Sequence, residues 1–216
     1  MRHTQRLESN TKRNAKSGVR VFSYIVSRDY GFAPNPFHGF CTLADCKPVL
    51  RRVVEVGDIV VGTSPLKAGR RLVFVMQVTE KLTFEAYWVD PRFARKKPKF
   101  RGNVRDAYGD NIYEPQSAGG FIQHKSHHSL PDGSTNLFNR NKDTGTNAVL
   151  VSHNYAYWGA DGPPVPEHLT QYQGWDLRAP TQGHVSRFPQ DFVDAVGDWF
   201  DHLPERGVCG VPAKWK

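Results

Sequence analysis

Two cysteines are separated by four residues in the stretch FCTLADCKP (residues 40–48), and Lys47 follows the second. A thiol beside an ammonium group can act as a nucleophile, because the positive charge favours the thiolate. Two thiols can also share a metal with histidines, or lie buried and inert. The Cys41–Cys46 spacing is at the outer limit for a structural zinc pair and no second pair accompanies it, so no metal and no cofactor are expected. His124, His127 and His128 crowd together in QHKSHHSLPDGS (residues 123–134). Three imidazoles this close can bind a transition metal or titrate near neutral pH. No Asp or Glu stands at the spacing of a hydrolytic metal motif, however, and the segment has the composition of an exposed loop. Ser152 and His153 follow a strand candidate, but adjacent residues on an extended strand point to opposite faces, so they are not a triad. The candidate catalytic groups are Asp29, His38, Cys41 and His153, with His153 paired to Asp29 as acid and base if the fold joins them.

A second set of residues suits binding. Residues 29–48 (DYGFAPNPFHGFCTLADCKP) carry Phe32, Phe37 and Phe40, which can stack on a base, and Asn35 and His38, which can read its edge. Trp88, Tyr157 and Trp158 are candidates for the opposite stacking face. Phosphate contact is expected from Arg92, Arg95, Lys96, Lys97, Lys99 and Arg101, a basic run interleaved with Phe93 and Phe100.

These residues need a scaffold. Val19–Ser27 (VRVFSYIVS) is apolar on both faces after Arg20, as in a strand with neighbours on either side. The Pro- and Gly-rich stretch 29–48 is a long ordered loop, with a short strand at Gly39–Leu43, and it is expected to form one wall of a pocket with Asn35 and His38 facing the ligand. Val53–Gly62 (VVEVGDIVVG) places a Gly-Asp turn directly before a strand, and further strands are expected at Arg71–Thr79, Phe84–Val89 and Ala148–Ser152. Residues 102–148 show no helical period. In FPQDFVDAVGDWFDHL (residues 188–203) apolar residues recur at three-to-four spacing, with Asp191, Asp194, Asp198 and Asp201 opposite them, so this segment is an amphipathic helix. Its acidic face can serve as a docking surface. Residues 1–18 are polar and basic and form an expected disordered arm, leaving 19–216 as one domain.

Composition excludes several classes. The chain has 216 residues, 38% of them hydrophobic and 12% aromatic, enough to bury a core. No apolar run reaches the roughly 20 residues of a membrane helix, the N-terminus has no apolar signal region, and three cysteines do not make a secreted disulfide framework. A cytoplasmic location is expected. The net charge is +8 and unevenly placed: residues 1–105 carry 21 Lys/Arg against 8 Asp/Glu, and residues 106–216 carry 8 against 13. A basic half rich in aromatics points to a polyanionic partner, nucleic acid or nucleotide.

Two resemblances sharpen this. VEVGDIVVGTSP with RLVFVMQVTEKLTFEAYWVDPRF is similar to the middle of a PUA-like barrel of the EVE or ASCH type, whose mouth holds a nucleobase. More specifically, YIVSRDYGFAPNPFHGFCTLADCKPVLRR, HNYAYWG, PPVPEHL and GHVSRFPQDFVDAVGDWF, spanning residues 20–212, resemble the second nucleotide-modification-associated domain family. That family is known from bacterial and phage gene neighbourhoods for DNA base modification and phage defence. The resemblance implies a context and a substrate class but no mechanism, with other DNA-modification proteins as possible company. The expected fold is α+β and mainly β, a small PUA-like barrel with an extended loop insertion and a C-terminal amphipathic helix. Three functions are compatible: recognition of a base, above all a modified one; an enzyme acting on that base or nucleotide; or an interaction subunit of a modification complex.

Overall fold

The computed structural model describes residues 18–215. The expected disordered arm therefore lies outside the described residues, apart from Gly18. The architecture is α+β and mainly strands, as the sequence indicates. In chain order the main elements are β1 (Val21–Ile25), β2 (Cys41–Leu43), α1 (Pro48–Val53), β3 (Ile59–Thr63), β4 (Leu72–Gln77), β5 (Glu80–Leu82), α2 (Phe84–Val89), α3 (Val104–Ala107), β6 (Tyr113–Pro115), β7 (Phe121–Gln123), α4 (Leu137–Thr144), β8 (Val149–Ser152), β9 (Asn154–Tyr157), β10 (His184–Val185), α5 (Gln190–Asp201) and β11 (Gly207–Val208).

Six strands form one sheet in the order β10-β1-β3-β4-β9-β11, and β2, β8 and β5 form a second. The barrel implied by the PUA-like resemblance does not close among the described residues, because the large sheet ends in two short edge strands, β10 and β11, that do not pair with each other. Strand β1 sits between β10 and β3, which explains its apolar residues on both faces. Phe22 and Tyr24 pack on one side with Phe74, Met76, Tyr155 and Tyr157. Val21 packs on the other with Ile59, Val61 and Val75, beneath Phe192, Val193, Val196 and Phe200 of α5.

Strands β1 and β3 are parallel, so the chain between them must cross over. That crossover is the long loop with β2 and α1, and it carries Cys46 across one face of the sheet. Its return depends on Gly31, at φ +66°, where a Cβ would lie 2.7 Å from the Pro212 ring and 2.8 Å from the Phe37 ring.

Two segments differ from expectation. Residues 84–89 form a helix rather than a strand: Thr83 caps it by accepting from the Ala86 N–H, and Phe84 and Tyr87, three apart, are the buried pair. Residues 137–144, in the stretch without helical period, form α4. Leu137 and Phe138 are exposed on it, and its buried residue is Asp143. A helix anchored by a carboxylate leaves no apolar stripe to detect.

Candidate active site

Cys46 and Lys47 both adopt left-handed backbone conformations, with φ of 58° and 42°, immediately before α1. Two consecutive non-glycine residues of this kind are uncommon and cluster at functional sites. The turn brings the Cys46 thiol to 3.5 Å from Nε2 of His128. On the other side of the same ring, Nδ1 of His128 lies 2.8 Å from Oδ2 of Asp143. Asp143 also accepts from the Cys46 backbone N–H through Oδ1, at 2.8 Å, and from the Tyr113 hydroxyl through Oδ2, at 2.8 Å. A carboxyl acceptor on Nδ1 favours the tautomer that carries its proton there, which turns the Nε2 lone pair toward sulfur.

The surroundings hold each member in place. The Phe32 ring packs against His128 at 4.6 Å. The His128 carbonyl accepts from Asn139 on α4. Arg51, fully buried, donates to the carbonyls of Cys46, Asp143, Thr146 and Ala148, and so ties α1 to the end of α4. Burial, and then the Asp143 and Asp45 carboxylates, push the Cys46 thiol up to about 12. Asp45, buried beside Asp143 and Asp110, is pushed well above the carboxylate range by desolvation first and by those carboxylates second.

Cys46, His128 and Asp143 have donor atoms close enough to be considered as metal ligands. As placed, Nε2 meets the sulfur and Nδ1 meets the carboxylate, so the three also form a hydrogen-bonded chain through the ring.

Two clefts meet at Cys46. One, of about 540 Å³, is lined by Tyr24, Arg28, Lys47, Lys142 and His184 among others, with no Asp or Glu. The other, of about 350 Å³, is lined by Tyr30, Phe32, His127, His128 and Asn139, and shares Arg28, Ala33 and Cys46 with the first. His127 packs at 4.2 Å from the Tyr30 ring and 5.3 Å from the Tyr108 ring, and desolvation, then the His128 and Arg28 charges, hold it down to about 4. It also borders a shallower hollow with Phe100 and Tyr108.

Most of the sequence candidates lie elsewhere. Cys41 is fully buried in β2, and its thiol is pushed up to about 12 by desolvation. Asp29 accepts from the Tyr157 hydroxyl and from the backbone of Gly31 and Ala213, not from His153, so it clips the C-terminal segment to the loop. His153 is exposed on the β8–β9 turn, its backbone N–H on Thr79. Asn35 is buried, donates to the Tyr108 carbonyl and accepts from Phe37 N–H and Lys96. His38 pairs with Asp106 at 3.3 Å. Neither lines the clefts at Cys46; the loop walls them with Tyr30, Phe32 and Ala33 instead. Phe37 stacks on Trp215. Tyr157 and Trp158 are core residues, and Trp88 stacks on His124 beneath the Lys97 ammonium.

In the basic run, Lys96 is fully buried and donates to Asn35 O, Asn35 Oδ1 and Phe40 O, which leaves no donor for a phosphate. Arg92 is held by Glu80 and Asp90. Arg95, Lys99 and Arg101 are exposed.

Cys46, His128 and Asp143 were not assembled from sequence because they lie 82, 97 and 15 residues apart in pairs, and Asp143 sits on the undetected helix. The one local sign was Lys47-Pro48 after the thiol, a helix start.

No curated protein and no solved structure matches the chain. The family model for nucleotide modification associated domain 2 matches residues 18–216, from the start of β1's approach to the last residue. The chain belongs to the nucleotide modification associated domain 2 family.

Proposed function

We propose that the two clefts meeting at Cys46 bind a nucleotide unit, free or within a nucleic-acid strand. The observation that carries this is the larger cleft, which gathers Arg28, Lys47 and Lys142 without a single carboxylate. Such a lining favours an anion, and in a family associated with nucleotide modification that anion is a phosphate. Lys47 is placed for it, its ammonium 4.6 Å above the Tyr24 ring. The smaller cleft, with Tyr30, Phe32 and His127, suits a planar base. A strand can continue past His127 to Phe100 and Tyr108, where Arg95, Lys99 and Arg101 supply exposed positive charge. Recognition of a base, above all a modified one, in DNA base modification or phage defence is the role this supports, with other DNA-modification proteins as partners in the cytoplasm.

Calorimetry with nucleoside 5′-monophosphates and their nucleosides tests the assignment. Monophosphates are expected to bind about tenfold tighter, or about 1.4 kcal/mol. Lys47→Ala with Lys142→Ala is expected to erase that difference and leave nucleoside binding in place. Equal binding of both ligand classes, or no effect of the double change, would move the phosphate out of this cleft.

A further inference from the structure

We infer that Cys46 is a catalytic nucleophile, with His128 as its proton acceptor and Asp143 as the positioning residue, acting on a trigonal carbon of a base or of a group carried on a base. The geometry is directional. The thiol faces Nε2, the carboxylate faces Nδ1, and the thiol opens on two clefts at once. A structural cysteine needs none of this.

The surroundings select carbon over phosphorus. Asp143 and Asp45 carboxyls lie beside the sulfur, the Cys46 N–H is already taken by Asp143, and the Arg51 guanidinium is committed to four carbonyls. A phosphoryl group at sulfur would meet the Asp143 carboxyl and find the Cys46 N–H and the Arg51 guanidinium already taken. Arg28, Lys47 and Lys142 line the larger cleft together with Cys46. A neutral carbon lying against the packed rings of Phe32 and His127, with its phosphate among Arg28, Lys47 and Lys142, fits both.

Sγ bonds the carbon while His128 Nε2 takes the thiol proton. The bond from that carbon to its nitrogen or oxygen leaving group breaks, and the leaving group takes the proton from the imidazolium. Water then cleaves the carbon–sulfur bond, delivering one proton through His128 back to the thiol and leaving hydroxyl on the carbon. The thiol is held protonated at rest by burial and by the neighbouring carboxylates, so deprotonation belongs to the attack and depends on the imidazole. The charged and titratable groups around this pair are Asp45, Lys47 and Arg51 from the crossover and α1, Tyr24 and Arg28 from β1 and its end, Tyr113 from β6, His127 beside His128, and Lys142 and Asp143 from α4.

The carbon substrate rests on the nucleotide reading above; the nucleophile does not, and it is tested with iodoacetamide alone. Peptide mapping follows three thiols in one chain: Cys46, the exposed Cys209 as reference, and the buried Cys41 as a sentinel for unfolding. Near neutral pH Cys46 is expected to react faster than Cys209 despite its burial. His128→Gln is expected to slow Cys46 at least tenfold and leave Cys209 unchanged. The pH profile of Cys46 alkylation should differ in shape between the natural chain and His128→Gln, which lacks the proton acceptor. Cys46 no faster than Cys209, or unchanged in His128→Gln, overturns the inference. If Cys41 becomes labelled in the variant, the profile of the natural chain decides: a rise only at alkaline pH is that of an unassisted thiol and overturns it. Release of one equivalent of zinc on alkylation would assign the thiolate to a metal and overturn it as well.

Discussion

Lys96 shows how one residue's surroundings reverse its apparent role. In sequence it belongs to a run of cations; in the fold its ammonium is fully buried against Asn35 and Phe40, and desolvation lowers it from 10.5 to about 8, with Asp110 and Cys41 acting the other way. A lysine whose folded pKa is depressed binds fewer protons in the folded than in the unfolded chain between about pH 8 and 10.5. Its contribution to stability therefore increases as pH rises through that window. The raised thiols of Cys41 and Cys46 work oppositely at alkaline pH, because the folded chain holds their protons longer. The comparison must then be made against a variant. The melting temperature of the natural chain minus that of Lys96→Met should widen between pH 7.5 and 9.5, and a constant gap would show that Lys96 is not desolvated. Cys46 illustrates the converse case: it was weighed together with Cys41 and the neighbouring lysine, yet what distinguishes the two thiols is burial and backbone angle, which residue types do not encode.

At the scale of elements, α1 and α4 are the pair that builds the site, and Arg51 joins them. Removing its donors strips a partner from the carbonyls of Cys46, Asp143 and Ala148, and leaves the Thr146 carbonyl with the Ala148 N–H alone. At about 1–3 kcal/mol for a buried acceptor left unpaired, Arg51→Met is expected to cost at least about 3 kcal/mol. With about 2–4 °C per kcal/mol for a domain of this size, thermal melting should fall by roughly 6–12 °C. A fall of a degree or two would show that α1 and α4 are held by other contacts. The strands β1, β3 and β4 were legible as short continuous runs of β-branched and aromatic residues buried on both faces, and the helix α5 by apolar residues at three-to-four spacing. α2 was not, since FEAYWV is rich in strand formers and only the Thr83 cap and the burial of Phe84 and Tyr87 decide for helix. α4 was not, since its sequence LFNRNKDT is polar on the face that packs. The two short edge strands were missed for want of length: β10 and β11 have two residues each.

Over the whole molecule, the large sheet is a platform whose two faces do different work. One is closed by α5, with Asp191, Asp194 and Asp198 turned outward. The other carries the crossover between parallel strands, and with it the loop, Cys46 and α1. The expected pocket wall in residues 29–46 was legible as a Pro- and Gly-rich, aromatic segment too apolar to stay in water. Which of its residues line the clefts was not, because Asn35 and His38 turn to Tyr108, Lys96 and Asp106, all distant in sequence. His127 and His128 pack directly on Tyr30 and Phe32 and complete that wall, and the anion-favouring lining comes from Arg28, Lys47 and Lys142, three residues spread over the chain. The central claim is that a nucleotide occupies the clefts meeting at the Cys46 sulfur. The most direct measurement is the rate of Cys46 alkylation with increasing nucleoside monophosphate, followed alongside Cys209. The account predicts that Cys46 is protected in a saturable way, with the midpoint at the dissociation constant found by calorimetry, while Cys209 reacts at an unchanged rate. Cys46 reacting equally fast in the presence of a saturating nucleotide, or no nucleotide binding at millimolar concentration, would contradict it.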